Sequence, residues 1–114
     1  MYEYRVDEVI KIYDGDTITV KIDLGFSITK KEKIRLSRIN TPEIRGEERP
    51  EGLVSRDWLR NRINSAIESN VDIIIKTNKD MKGKYGRYIG DVFISDICIN
   101  DELVSLGLAE YKEY

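Results

Sequence analysis

Short segments of alternating apolar and polar residues make up most of this 114-residue chain, and one long segment with helical spacing interrupts them. Alternation with a period of two predicts a strand that buries one face, because successive side chains of a strand point to opposite sides. The clearest example is residues 17–24, in which polar residues separate Ile18, Val20, Ile22 and Leu24. The order of these segments constrains the fold more strongly than the composition does.

Two further strands are predicted in the first part of the chain. Residues 4–13 have a strand-like pattern with one break in the alternation, which predicts a β-bulge. The turn signal Asp14-Gly15-Asp16 joins them to residues 17–24 as a hairpin. Residues 33–39 form the third predicted strand, and their period of two places Arg35 on the face opposite the apolar side chains.

The one long helical segment follows a predicted loop. Residues 40–52 contain both prolines of the chain, which favours a loop, and residues 53–69 then show helical spacing of their apolar residues. The predicted apolar stripe of this helix comprises Val54, Trp58, Leu59, Ile63, Ala66 and Ile67.

The remaining segments complete the predicted fold. Strands are predicted over residues 71–77, 87–94 and 97–99, and Asn100 is a suitable N-cap for a short final helix. This order suits an OB-type fold of the α+β class, a small five-stranded antiparallel Greek-key barrel with two packed helices. Because the chain has no internal repeat and no linker, we expect residues 1–114 to form a single domain.

The chain contains no histidine, and this absence limits the chemistry that it can perform. Histidine is the usual base at neutral pH, so serine–histidine catalysis and nucleases with a histidine base are excluded. Zinc sites that need histidine or several cysteines are also excluded, because the chain has one cysteine. The plentiful oxygen ligands point instead to a hard cation such as calcium or magnesium.

The charge of the chain is unevenly distributed. A formal net charge of −2 argues against nucleic acid as a partner, but residues 30–45 and 76–87 are both strongly basic. These two segments could form one phosphate-attracting face if the fold brings them together. They could also be two separate solvated surfaces, and the charge pattern alone does not decide between these interpretations.

Four short motifs together carry a family resemblance. They are Tyr13-Asp14-Gly15-Asp16-Thr17; Ile34-Arg35-Leu36 with Ile39-Asn40-Thr41-Pro42-Glu43; Lys84-Tyr85-Gly86-Arg87; and Asn100-Asp101-Glu102-Leu103-Val104 with Gly107-Leu108-Ala109. Each alone is weak, since a turn with carboxylates is common. In this order and spacing they closely resemble the staphylococcal nuclease (thermonuclease) family, over nearly the whole chain.

The resemblance implies a calcium site made of oxygen ligands. Asp16 and Asn40 would supply side-chain ligands, the backbone carbonyl of Thr41 would supply another, and waters would complete the shell. Asp14 would lie beside these ligands and act through a water. Without the resemblance, Asp14 and Asp16 are typical turn-forming residues that flank Gly15.

The resemblance also implies three catalytic residues. Glu43 would activate or orient the attacking water, a role that a carboxylate can take where no histidine exists. Arg35 and Arg87 would grip the scissile phosphate, because guanidinium groups can bind phosphate oxygens bidentately. The alternative interpretation is a surface glutamate in a loop, a solvated arginine on a strand and an arginine at a loop–strand boundary.

The implied activity is calcium-dependent hydrolysis of phosphodiester bonds in DNA and/or RNA, with single strands favoured. An in-line attack by a water at the metal site would leave 3′-phosphate ends. Lys84 and Tyr85 match positions beside the bound nucleotide, where they would contact a phosphate and offer a ring or hydroxyl.

Two rival functions share the same fold: a non-catalytic nucleic-acid-binding module and a protein-interaction domain. A binding module has no use for a glutamate beside a phosphate, because the carboxylate repels the ligand. The presence of Glu43 together with Arg35 and Arg87 therefore favours catalysis.

Asn40 is the chief departure from the family pattern, in which aspartate is usual at this position. Asparagine keeps a carbonyl oxygen but removes one negative charge. Because calcium affinity follows the charge and rigidity of the ligands, we expect weaker calcium binding than with aspartate.

The sequence also suggests a compartment. No segment approaches the ~20 apolar residues of a membrane span, and the N-terminal residues lack the apolar region of a signal peptide. The single cysteine, Cys98, allows no intrachain disulfide and fits a reducing compartment. We therefore expect a cytoplasmic protein without a membrane partner, and the sequence does not indicate an oligomeric state.

Overall fold

The structure is a computed structural model that describes residues 2–77 and 86–112. These residues contain strands β1 to β8 and helices α1 and α2, numbered in chain order. Their bounds are β1 Tyr2–Asp14, β2 Thr17–Asp23, β3 Thr29–Leu36, β4 Ile39–Asn40, α1 Arg49–Glu68, β5 Ile73–Thr77, β6 Tyr88–Ile94, β7 Ile97–Cys98, α2 Ile99–Ser105 and β8 Glu110–Tyr111.

Five of these strands close into a barrel. β1 pairs antiparallel with β2 and β5, β2 pairs antiparallel with β3, and β5 pairs antiparallel with β6. β3 and β6 close the barrel as a parallel pair, from Ile34 opposite Tyr88 to Leu36 opposite Gly90. The predicted OB-type barrel with two helices is confirmed. The closing pair makes it mixed rather than wholly antiparallel, because the connection through α1 and β5 returns β6 in the direction of β3.

β1 owes its irregular sequence pattern to three bulges rather than one. Its register against β2 shifts where three residues have no partner on β2, namely Asp7, Ile10 and Tyr13. Each extra residue bends and twists the strand, which helps a short barrel to close. The bulges also give the core side of β1 a period of three, with Val6, Val9 and Ile12 packed on the core.

The core fills the barrel and continues beneath both helices. Its most deeply buried side chains are Ile18, Val20, Ile34, Leu36, Ile39, Leu59, Ile63, Ile75, Val92, Ile99 and Leu103. The strand members alternate with outward-facing residues, as the period of two predicts.

Helix α1 buries only half of its predicted apolar stripe, namely Leu59, Ile63 and Ala66. Val54 and Ile67 of the predicted stripe are 57% and 51% exposed, and Trp58 is only partly buried. The buried face also includes Gly52 and Ser55. Small residues occupy this face because the first turns of α1 pack closely against the loop after β4.

The bounds of α1 also differ from the prediction. The helix begins at Arg49, inside the predicted loop of residues 40–52, and Pro50 lies in its first turn. Proline is well suited to that position, since its missing N–H has no helical acceptor there. Within the described residues, neither helix is both long and apolar enough to cross a membrane.

Asn100 is not the N-cap of α2 but lies inside its first turn, and Cys98 precedes the helix. The side chain of Asn100 is fully buried. The amide oxygen accepts from the N–H of Val92 at 3.0 Å, and the amide nitrogen donates to the carbonyl oxygen of Ser37 at 2.9 Å. Asn100 thus links α2 to β6 and to the turn before β4. The N-cap prediction is wrong, because the Asn100 side chain instead pairs with buried backbone groups of those segments.

Candidate active site

The candidate site includes a row of neighbouring residues on β1, β2 and β3. Thr17 of β2 is the register partner of Asp14 on one side and of Arg35 on the other. Directly opposed residues project from the same face of a sheet. The bulge at Tyr13 therefore brings Asp14 onto the outer face beside Thr17 and Arg35, and all three of these residues are buried.

Asp16 is held by the loop that follows β4. Its Oδ2 accepts hydrogen bonds from the N–H and the Oγ1 of Thr41, both at 3.0 Å. Its Oδ1 accepts from Thr17 Oγ1 at 3.2 Å. Gly15 permits this approach, because a Cβ there would lie 2.8 Å from Thr41 Cγ2. The turn between β1 and β2 therefore needs glycine because of this close packing.

The guanidinium of Arg35 lies between two oxygens of the site. Its Nη2 is 3.3 Å from Asp16 Oδ2 and donates to Asn40 Oδ1 at 3.4 Å. Its Nη1 donates to the carbonyl oxygen of Leu36 at 2.7 Å. Arg35 is only 8% exposed, so it is not a solvated residue on the polar face of its strand.

Arg87 and Glu43 reach the same place from distant parts of the chain. Arg87 precedes β6 and donates from Nη1 to Thr17 Oγ1 at 3.2 Å. Glu43 is exposed on the loop after β4 and lines the same open pocket, which has a volume of about 690 Å³. The other pocket-lining residues include Asp14, Asp16, Arg35 and Asn40. The structure thus brings the three predicted catalytic residues together with the predicted calcium ligands.

Gly52 supports this loop from behind, and it was not among the predicted site residues. A Cβ at Gly52 would overlap the carbonyl oxygen of Glu43, so the first turn of α1 can press against the loop backbone only with glycine here. Glycine inside a helix is otherwise unfavourable relative to alanine. Because Gly52 falls in the predicted loop of residues 40–52 and outside the predicted helix, the sequence gives no signal of this close approach.

The ionisation of Asp14 depends on its surroundings in the turn. Burial raises the pKa of the Asp14 carboxyl to about 7, and the negative charge of Asp16 raises this pKa as well. Asp14 Oδ1 also accepts from the backbone N–H of Asp16 at 3.0 Å, which opposes the increase. Two carboxyl groups this close are most stable as an ionised pair when a cation is nearby.

The donor atoms of the pocket fit a hard cation. The side chains of Asp14, Asp16 and Asn40 present only oxygens or amide groups, and the Thr41 backbone adjoins them. Among the described residues there is no group of three or more His, Cys, Asp or Glu side chains that could hold a metal ion. The oxygens that are present are of the type that hard cations accept.

The two basic segments meet at this pocket. Lys33, Arg35 and Arg45 come from the first segment and Arg87 from the second, and all four line the pocket. The fold therefore brings these four basic residues to one face, and the attraction of that face for phosphate stays a prediction. Lys84 and Tyr85 lie outside the described residues, so their nucleotide contacts stay predictions.

A family comparison agrees with the fold and the pocket. The model of the family of staphylococcal nuclease homologues matches residues 33–114. The matched range includes five site residues, which are Arg35, Asn40, Thr41, Glu43 and Arg87, and it begins after Asp14 and Asp16.

Individual relatives align with almost the whole chain. A thermonuclease of Staphylococcus hyicus is 28% identical over 110 residues, which cover 94% of this chain. A thermonuclease of Staphylococcus intermedius is 28% identical over 109 residues and 93% of this chain. An uncharacterised protein of Methanocaldococcus jannaschii is 27% identical over 128 residues and 95% of this chain. In each case the alignment spans 59% of the relative's own length.

Proposed function

Because the chain belongs to the family of staphylococcal nuclease homologues, we propose that it hydrolyses phosphodiester bonds of DNA and/or RNA with calcium. One observation carries this proposal: Arg35 and the oxygens of Asp16 and Asn40 converge in an open pocket with Arg87 and Glu43. Such a pocket offers cationic donors to a phosphate and oxygen donors to a hard cation. A phosphodiester with its calcium needs both sets of donors.

Calcium would be held by Asp16, by the amide oxygen of Asn40 and by the carbonyl oxygen of Thr41, with Asp14 beside them. When bound, calcium would supply positive charge next to the phosphate. The hydrogen bonds from Thr41 and Thr17 fix the Asp16 carboxylate in place before any ligand arrives. Fixed ligand oxygens partly compensate for the low charge of the site.

The two arginines would bind the scissile phosphate from the side of β3 and β6. Arg35 is buried and anchored on the Leu36 carbonyl, so its charge is held at the pocket without solvent screening. Arg87 is anchored on Thr17, across the pocket from the loop after β4. As negative charge builds on the five-coordinate phosphorus, these donors bind more tightly than in the ground state.

Glu43 would accept a proton from the attacking water. Its side chain is exposed and lines the pocket, so water can reach its carboxyl group. In-line attack of that water on phosphorus would break the bond to the 5′ oxygen and leave a 3′-phosphate. The chain contains no histidine that could replace Glu43 as base.

The non-catalytic binding module fits this pocket less well. Asp14, Asp16 and Glu43 place three carboxyl groups where a phosphate would lie. Without a cation they would repel a polyanion, and a module that only binds nucleic acid gains nothing from them.

Cleavage of labelled single-stranded DNA and RNA, with calcium and with chelator, tests the proposal. We expect cleavage in calcium, no cleavage in chelator and recovery when calcium is restored. The products should resist ligation until a phosphatase removes their 3′-phosphate. Undiminished cleavage in chelator would rule out the proposed metal dependence, and binding without cleavage in both conditions would favour the binding module.

A further inference from the structure

The outer face of the sheet continues beyond the site as two further rows of residues. The row next to Asp14, Thr17 and Arg35 consists of Lys11, Thr19 and Lys33. The following row consists of Glu8, Lys21 and Lys31. The bulges in β1 keep Lys11 and Glu8 in these rows. Each bulged residue has no partner on β2, so every third residue of β1 lies on the outer face.

Three lysines of these rows present their charge to solvent. Lys31 and Lys33 are exposed and make no ion pair with any residue in the described ranges 2–77 and 86–112. Lys11 is also exposed, and its Nζ lies 5.5 Å from the centre of the Tyr13 ring. Lys21 differs, because its Nζ is 3.5 Å from Glu8 Oε1. We call Lys11, Lys31 and Lys33 the lysine track.

A groove connects the lysine track to the site. It has a volume of about 450 Å³ and shares Lys11, Thr19 and Lys33 with the site pocket. The groove also contacts Glu32, but that carboxylate lies 2.8 Å from the ammonium of Lys30. The groove therefore has a net positive wall that runs away from Arg35 along β3.

We propose that the lysine track binds the phosphates of a single-stranded polynucleotide that leads away from the phosphate held at Arg35. The placement of that phosphate rests on the proposed function. Arg35, Lys33 and Lys31 lie two residues apart on one face of β3, a spacing of about 6.7 Å. Successive phosphates of an extended single strand are separated by a similar distance, so each cation meets one phosphate.

The track suits one strand rather than two. Its cations follow a single line along β3, with Lys11 alongside, and the site pocket closes one end of that line. A duplex presents two backbones that wind away from a straight line, whereas an extended strand can follow the groove. The substrate of this surface is therefore a polynucleotide with several phosphates on one side of the scissile bond.

Binding can be measured without cleavage. We would titrate the wild-type protein, in chelator, into a fluorescent single-stranded oligonucleotide long enough to span the track, and record anisotropy at several salt concentrations. The test variant combines Lys11→Gln, Lys31→Gln and Lys33→Gln. The control is Lys76→Gln on β5, which removes one positive charge and is compared with one third of the effect of the triple variant. Lys76 does not line the groove, and its Nζ lies 3.2 Å from Glu3 Oε1.

The triple variant should bind at least tenfold more weakly at low salt. Each lysine that contacts a phosphate contributes ~0.7 to the slope of log affinity against log salt on single strands, so the slope should fall by about 2. A dinucleotide, which cannot reach the track, should bind both proteins alike. Circular dichroism should show an unchanged fold, because all three lysines are exposed.

Three results would overturn the lysine track. The first is a triple variant with wild-type affinity and salt slope, and the second is a wild-type protein that fails to bind the oligonucleotide at low salt. The third is a change in log affinity in Lys76→Gln that equals one third of the change in the triple variant, since this would indicate a general effect of net charge. Failure of the proposed hydrolysis would look different: the oligonucleotide would bind through the track but stay intact in calcium.

Discussion

The outer face of β3 holds two kinds of positive charge within a few residues. Arg35 is buried and contacts Asp16, Asn40 and the Leu36 carbonyl, whereas Lys33 and Lys31 are exposed. A buried, anchored charge acts on its ligand without reorganisation, but an exposed charge acts through an attraction that salt screens. We therefore expect Arg35 to govern turnover and the lysine track to govern affinity.

The difference between these positions does not come from the strand itself. Lys31, Lys33 and Arg35 follow the same alternation, and each projects outward from the barrel. Arg35 is buried because the loop after β4 packs over it, held by Thr41 on Asp16. Tertiary packing at one end of the strand thus buries an outward-facing position and makes it part of the site.

Removal of the arginines should give the largest effect. Arg35→Ala and Arg87→Ala should each lower kcat by about 100-fold or more, because each removes charge-assisted contacts to the transition state. KM should change far less. Steady-state kinetics on a single-stranded substrate in calcium would measure both constants.

The matched control for the arginines is Arg56→Ala on α1, where the guanidinium contacts only the neighbouring Asp57 among the ion pairs of the described residues. That variant should keep the wild-type rate. Because Arg35 is buried, Arg35→Lys provides a second test that preserves the charge, and it should recover only part of kcat. If a folded Arg35→Ala protein keeps a near wild-type kcat, Arg35 does not govern turnover and the expected difference from the lysine track is wrong.

Gly52 should give an intermediate effect. In Gly52→Ala the new methyl group displaces the Glu43 backbone, and a misplaced catalytic group loses rate steeply with distance, so kcat should fall by about 10-fold or more. Oligonucleotide affinity in chelator should stay unchanged, since the lysine track lies on the other side of the pocket. Alanine normally favours a helix, so the loss cannot be attributed to helix propensity.

Ser65→Ala provides the control for Gly52→Ala, because Ser65 is an exposed residue of the same helix. It should leave kcat and affinity unaltered. If Gly52→Ala instead lowers affinity and kcat together, the site and the lysine track are mechanically coupled and the comparison between them fails.

Short-range signals in the sequence predicted the fold, whereas the grouping of the site residues was implied by the family resemblance. Asp14-Gly15-Asp16 marks the hairpin turn, and the alternation in β3 places Arg35 on the outer face. The predicted order of strands and helices is then sufficient to predict the barrel. The burial of Arg35 was not predicted, because it depends on contacts with a loop that is distant along the chain from β2 and its turn.

The features that the sequence did not predict depend on small or polar residues in tight contacts. The buried face of α1 uses Gly52 and Ser55, which an apolar stripe does not reveal, while apolar Val54 is exposed. Asn100 looks like a helix cap, yet it is a fully buried hydrogen-bonding residue. Hydrophobic periodicity reports where large side chains are, but it does not report where backbones approach each other.

Calorimetric titration of calcium, at one fixed ionic strength, tests most directly whether the oxygens that surround Arg35 form the cation site. Asn40→Asp adds a carboxylate where Arg35 Nη2 now meets an amide oxygen at 3.4 Å. A charge close to a divalent ion is worth on the order of 1 kcal/mol or more even when screened. Asn40→Asp should therefore bind calcium several-fold more tightly than wild type and Asn40→Ala more weakly, with Asp16→Ala the weakest. Identical titrations for wild type, Asn40→Asp and Asn40→Ala would contradict the account, because Asn40 would then only shape the turn before Pro42.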